Sequence, residues 1–213
     1  MRIAILLFDR LTALDAVGPY EILGALPSAE VSFVGERRGT VRCFGGGLGL
    51  SVDTELDELT DPDIILVPGG PGQAALMDDG PVHEWLRAAD ATSTWTTSVC
   101  TGSLVLAAAG LLRGRRATSH WLALDQLPAL GAEPTGERVV FDGKYVTAAG
   151  VSSGIDMALS LVGRIAGDDV AQALQLITEY DPQPPYDAGS PHTAPAHIVK
   201  SLREGDRSVL EGA

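Results

Sequence analysis

Cysteine, positive charge and long apolar runs are what this chain has least of. Cys43 and Cys100 are the two cysteines in 213 residues, too few for a disulfide-stapled scaffold, and they share no C-x-x-C spacing. His83, His120, His192 and His197 show no zinc-ligand spacing with the cysteines, so no metal site is expected. Lys and Arg number 15 against 28 Asp and Glu, for a formal charge of −13. Phosphate binding needs a basic surface, which argues against nucleic acid and anionic membrane as partners. No apolar run is long enough to span a bilayer, and the start lacks the n-region and h-region of an export signal. The expectation is a cytoplasmic protein with two free thiols.

What is present describes an ordinary globular core, with 45% hydrophobic and 20% charged residues. "RIAILLF" is a short continuous apolar run of the kind that strands buried on both faces carry, "DIILVPGGPG" reads as a second buried strand ending in Pro-Gly-Gly, and the hydroxyl-rich "STWTTSVC" reads as another strand. "EVSFVG" reads as a further strand, and "TVRCFGGGLGL" as a glycine-rich strand or hairpin. Asp142-Gly143 between two β-rich runs predicts a hairpin over "RVVFDGKYVTAAG". Helical spacing appears in "DAVGPYEILGAL", in "QAALMDDGPVHEWLRAA" with a break near Gly80, and in "TGSLVLAAAGLL" up to Gly110. "LALDQLPAL" predicts a short helix stopped at Pro128, with a short strand before it in "RGRRATSHW". Two more helices follow in "SSGIDMALSLVGRIAG" and "DDVAQALQLITEY". Alternation of this kind defines an α/β sandwich, a mostly parallel sheet with helices on both faces. One domain over residues 1–213 is expected. Its core ends near residue 180, and a Pro/Gly-rich tail, a last helix in "IVKSLREG" and a polar end complete residues 181–213.

Ligands of open α/β sheets bind beyond the carboxyl ends of the strands. Asp15, Pro68-Gly69-Gly70 and Cys100 all fall at such ends. Cys100 stands where a strand turns into a helix, the setting of a nucleophile elbow, and the helix N-terminus is expected to lower its pKa. The plain alternative is a buried structural cysteine, which is the reading for Cys43. Gly70, with the N–H of Thr101, is a candidate oxyanion pair; a tight turn would explain the same string. Asp15 amid apolar neighbours is a carboxyl of raised pKa suited to proton transfer, or a helix N-cap, with Glu21 one turn on as a second carboxylate. His120 is the histidine nearest this end, as a Cys–His partner or as a structural residue; His83, His192 and His197 are expected at the surface.

With these residues assembled, the chain resembles the PfpI-like branch of the class I glutamine amidotransferase-like superfamily. The resemblance rests on "FDRLTALDAVGPYEIL", "DIILVPGGPG", "SVCTGSLVLAAAGLLRGRRATSHW", "VTAAGVSSGIDMAL" and "QLITEYDPQPPYDAGSP". It is nearest to the hydratase group of that branch. Peptidase-like members are expected to carry His after the nucleophile, where Thr101 stands here, and many members carry Glu in place of Asp15. The resemblance implies a flavodoxin-like fold, a homodimer, no cofactor, and catalytic roles on Cys100, Asp15 and Thr101. It implies an isonitrile as the small-molecule substrate, hydrated to an N-substituted formamide through a covalent thioimidate. Two other classes stay open at this point. One is a thiol-based stress protein that acts on reactive carbonyls or senses oxidants. The other is a ligand-sensing domain related to AraC-like regulators.

Overall fold

The frame is set by strands that have no wet face. In the computed structural model, which describes residues 1–205, β1 (Arg2–Leu6) buries every side chain after Arg2, and β6 (Ile64–Val67) buries all of its own. Each fully buried Ile or Leu contributes roughly 1.5–3 kcal/mol, which is why these strands read as continuous apolar runs. Parallel pairing carries β1 onto β2 (Glu30–Gly35) on one side and onto β6 on the other. Beyond β6 come β7 (Trp95–Val99) and β11 (Tyr145–Ala148), both parallel, and then β10 (Val139–Asp142), antiparallel at the edge. The two-residue β5 (Thr54–Glu55) closes the other edge against β2 and was not foreseen. The order is β10-β11-β7-β6-β1-β2-β5.

Two small ribbons stand apart. β3 (Gly39–Arg42) and β4 (Gly49–Val52) form the glycine-rich hairpin, and β8 (Arg116–Ala117) pairs in parallel with β9 (Glu133–Pro134). The β10–β11 hairpin turns one residue later than expected. Asp142 pairs with Tyr145, so Gly143 and Lys144 are the turn, with Gly143 at φ +61° as the first position of a two-residue turn requires. Pro128 does not stop its helix: a tight 3-10 segment runs Leu124–Leu130 through it and ends at Gly131, φ +84°.

The helices are α1 (Ala13–Leu23), α2 (Pro81–Asp90), α3 (Gly102–Ala108), α4 (Ser153–Ala166) and α5 (Asp168–Ile177). α1 lies close against α4, with Gly18 facing Ile155 and Pro19 facing Gly154, where no larger residue fits without displacement. His83 on α2 is buried rather than exposed, its Nε2 2.9 Å from the Leu76 carbonyl, which ties the helix to the loop after β6. At the amino ends of β7 and β11, Asp90 accepts from Thr96 Oγ1 (2.6 Å) and Tyr145 Oη (2.9 Å) and pairs with Lys144 Nζ (3.1 Å). This satisfied polar knot pins three elements at the end of the sheet opposite Cys100.

The chain divides into compact units at Met1–Thr178 and Glu179–Ala213. In the second, no regular structure precedes α6 (Ala196–Arg203); the polar end of the chain lies outside the described residues.

Candidate active site

The chain order reverses across the sheet between β1 and β6. From β1 it proceeds to β2 on one side, then to β6, β7 and β11 on the other, and a crevice opens beyond the strand ends at such a reversal. Asp15, Gly69-Gly70 and Cys100 meet there.

Asp15 is not the N-cap of α1. Thr12 occupies that position, and Asp15 sits in the first turn with its side chain fully buried. Its Oδ2 accepts the Gly69 N–H at 2.9 Å, while Oδ1 is buried with no hydrogen-bond partner among the described residues. Burial drives the carboxyl pKa up to about 7, against smaller downward pulls from the Gly69 N–H and the Cys100 thiol. The second carboxylate, Glu21, is exposed and plays no part in this arrangement.

Cys100 adopts φ +58° between β7 and α3. A left-handed non-glycine residue costs about 1–2 kcal/mol, and here the backbone on both sides is tied down. Its N–H is shared between the Ala148 (3.0 Å) and Ala149 (2.8 Å) carbonyls. Its carbonyl accepts the hydroxyls of Ser103 (3.2 Å) and Ser119 (3.1 Å). The thiol faces the Asp15 carboxyl and the N–H groups of Thr101 and Val151.

The expected acidification of Cys100 is overturned: its pKa is pushed up to about 12. Burial is the larger cause and the Asp15 charge the next, and both outweigh the two N–H donors. α3, only 7 residues long, is too small a dipole to reverse that balance. At neutral pH the pair therefore holds the thiol protonated beside a carboxyl at its midpoint.

The oxyanion reading of Gly70 also needs correction. Its N–H is already given to Thr101 Oγ1 at 2.9 Å, and that of Gly69 to Asp15. The glycines position the acid and the threonine, and close approach explains why they are glycines. A Cβ on Gly69 would overlap Thr101 N and lie 2.6 Å from Thr101 Oγ1 and 3.0 Å from Cys100 Cβ. His120 is half-buried, with its pKa lowered by burial. It accepts the Leu122 N–H at Nδ1 (3.3 Å), and its ring lies across Gly150. It is not among the groups acting on the thiol. Cys43 is buried, as a structural cysteine is.

Val151, Ser103 and Ser119 were not singled out in the sequence. Ser119 lies inside "TSHW" and Ser103 three residues past the nucleophile, yet nothing local to either stretch says that both hydroxyls converge on one carbonyl.

Fold and site together define an α/β protein that carries a cysteine on a nucleophile elbow opposite a buried carboxyl. The chain belongs to the DJ-1/PfpI family, whose sequence profile matches residues 1–164. It is 45% identical over 204 residues to isonitrile hydratase of Pseudomonas putida, across 96% of this chain and 89% of that protein. The crystal structure of a ThiJ/PfpI family protein from Pseudomonas syringae superposes with a TM-score of 0.92 at 38% identity, covering 95% of this chain and 84% of that one. The HTH-type transcriptional regulator CdhR of Pseudomonas aeruginosa is 36% identical over 129 residues, 59% of this chain and 38% of the regulator.

Proposed function

We propose that this protein is an isonitrile hydratase, converting isonitriles to N-substituted formamides with Cys100 as nucleophile and Asp15 as proton carrier. The observation that carries the reading is the buried Cys100–Asp15 pair, with the carboxyl near 7 and the thiol near 12. The near-full-length likeness to the Pseudomonas putida hydratase gives the pair its substrate.

The steps follow from the proton inventory. Ionised Asp15 takes the proton of the Cys100 thiol as sulfur bonds to the terminal carbon of R–N≡C. The carbon's displaced electron pair then receives that proton from Asp15, giving the thioimidate R–N=CH–S–Cys. Asp15, ionised again, removes a proton from water as its oxygen adds to the same carbon, and that proton passes to nitrogen. The adduct collapses: the C–S bond breaks, the hydroxyl proton returns to sulfur, and R–NH–CHO leaves. One carboxyl alternates between base and acid, which needs a pKa near the working pH. The N–H groups of Thr101 and Val151 stabilise sulfur as its charge develops. The Thr101 hydroxyl holds Gly70, so that the loop carrying Gly69 keeps Asp15 in place.

A peroxide sensor needs an accessible thiolate of low pKa, and the buried Cys100 thiol is neither. We further place the protein in the cytoplasm as a homodimer, the assembly typical of this family; sedimentation at micromolar concentration tests the dimer. The activity is tested by incubation with cyclohexyl isocyanide and detection of N-cyclohexylformamide. Absence of product, or unchanged turnover in Cys100→Ala, overturns the reading.

A further inference from the structure

We propose that Ser103 and Ser119 are positioning residues for the reaction, holding the Cys100 peptide so that the thiol stays between Asp15 and the Thr101 and Val151 N–H groups. The hydroxyls approach one carbonyl from different parts of the chain, Ser103 from α3 at 3.2 Å and Ser119 from the segment after β8 at 3.1 Å. Both serines are buried, with relative exposures of 0% and 2%. Two buried hydroxyls on one carbonyl oxygen fill both of its lone pairs.

That carbonyl belongs to a residue at φ +58°, a conformation it leaves unless the surroundings hold it. The Ala148 and Ala149 carbonyls hold its N–H, so φ is restrained from one side. Rotation about ψ is opposed at one end of the next peptide by the Thr101 N–H on the sulfur and at the other by the serines on the C=O. With both hydroxyls gone, a buried carbonyl loses two donors, and peptide rotation becomes its route to a new partner. That rotation carries the Thr101 N–H off the sulfur and lets φ relax from +58°, which moves the sulfur off the carboxyl that must take and return its proton. Near-attack geometry is sensitive to displacements of about 1 Å.

Kinetics and thiol reactivity of S103A, S119A, S103A/S119A, S103T and S119T test this, with S98A as control. Ser98 is also buried on β7, with its hydroxyl unpartnered among the described residues. In the double Ala variant kcat falls at least about tenfold with KM little changed, and the Thr variants recover most of it. Cys100, released from the Asp15 charge, reacts with iodoacetamide at pH 8 at least about threefold faster, while Cys43 does not. Slower turnover together with a faster thiol is a signature that general loosening does not produce, since loosening exposes both cysteines alike. Where the double variant does not fold, the single variants are read by the same two measures. Wild-type kcat within about twofold, or parallel acceleration at Cys43 and Cys100, overturns the proposal. The kcat arm rests on the hydration proposed above; the alkylation arm stands without it, so the two failures are distinguishable.

Discussion

Replacing Asp15 with Asn should make the protein more stable and less active, and the gain in stability should depend on pH. The carboxyl has its ordinary value of 3.8 in the unfolded chain and about 7 when buried. The sign follows from proton counting: between those values the folded state binds the proton that the unfolded state has released. Stability is therefore lost as pH rises from about 4 to about 7 and is level above that. At 1.36 kcal/mol per pKa unit the loss is about 4 kcal/mol at pH 8 and about 2 kcal/mol at pH 5. Asn keeps the acceptor for Gly69 N–H but sets an amide N–H2 where Oδ1 has no partner, which costs about 1–3 kcal/mol at either pH. Urea unfolding of wild type and Asp15→Asn at pH 5 and pH 8 separates the two effects. The variant's relative stability should be higher at pH 8 by roughly 2.5 kcal/mol, while turnover falls by about 10²–10⁴. A difference that is equal at both pH values, or larger at pH 5, refutes the raised carboxyl and with it the proton carrier.

For the wild type, kcat/KM should rise tenfold per pH unit below about 7 and level above it, because the singly protonated pair is the reactive form; a profile falling through 7 contradicts this. Gly69→Ala should lower kcat by at least about tenfold, since its Cβ drives into the Thr101 backbone and against Cys100 Cβ, and steady-state kinetics on folded variant will read it. Tyr145→Phe removes the Oη donor to buried Asp90 and should lower unfolding free energy by about 1–3 kcal/mol in urea, with kcat unchanged, because that knot lies at the far end of the sheet.

The fold was legible wherever burial leaves a pattern. β1 and β6 are continuous apolar runs because helices cover both faces of the sheet, whereas β7 is buried just as deeply with Thr96, Thr97 and Ser98 at its centre and carries no such run. What failed was set by neighbours in space. β5 is two residues long and exists through its pairing with β2, so no period could announce it. Pro128 is tolerated because a 3-10 segment asks less of its N–H groups than a long α-helix does. His83 looks like a surface residue in sequence and is buried because the Leu76 carbonyl meets its ring. In the site, Cys100 and Asp15 were legible as chemistry out of place, a thiol at a strand end and a carboxyl among apolar residues. The direction of the Cys100 shift was not, because it depends on how deeply the pair is enclosed and how close the two groups lie.

The misread glycines bear on which reaction the site suits. Acyl transfer builds negative charge on an oxygen and needs free N–H groups aimed at it. Here the Gly69 and Gly70 N–H groups are committed to Asp15 and Thr101, and the donors that remain face sulfur. Thiol addition to an isonitrile builds charge on the attacked carbon itself, and the remedy for a carbanion-like carbon is a proton rather than a hydrogen bond. A site for that reaction needs an acid within reach of the nucleophile, poised to give up the proton it has just taken. The commitment of the glycine donors to Asp15 and Thr101, which an acylating enzyme could not afford, is what holds such an acid in place.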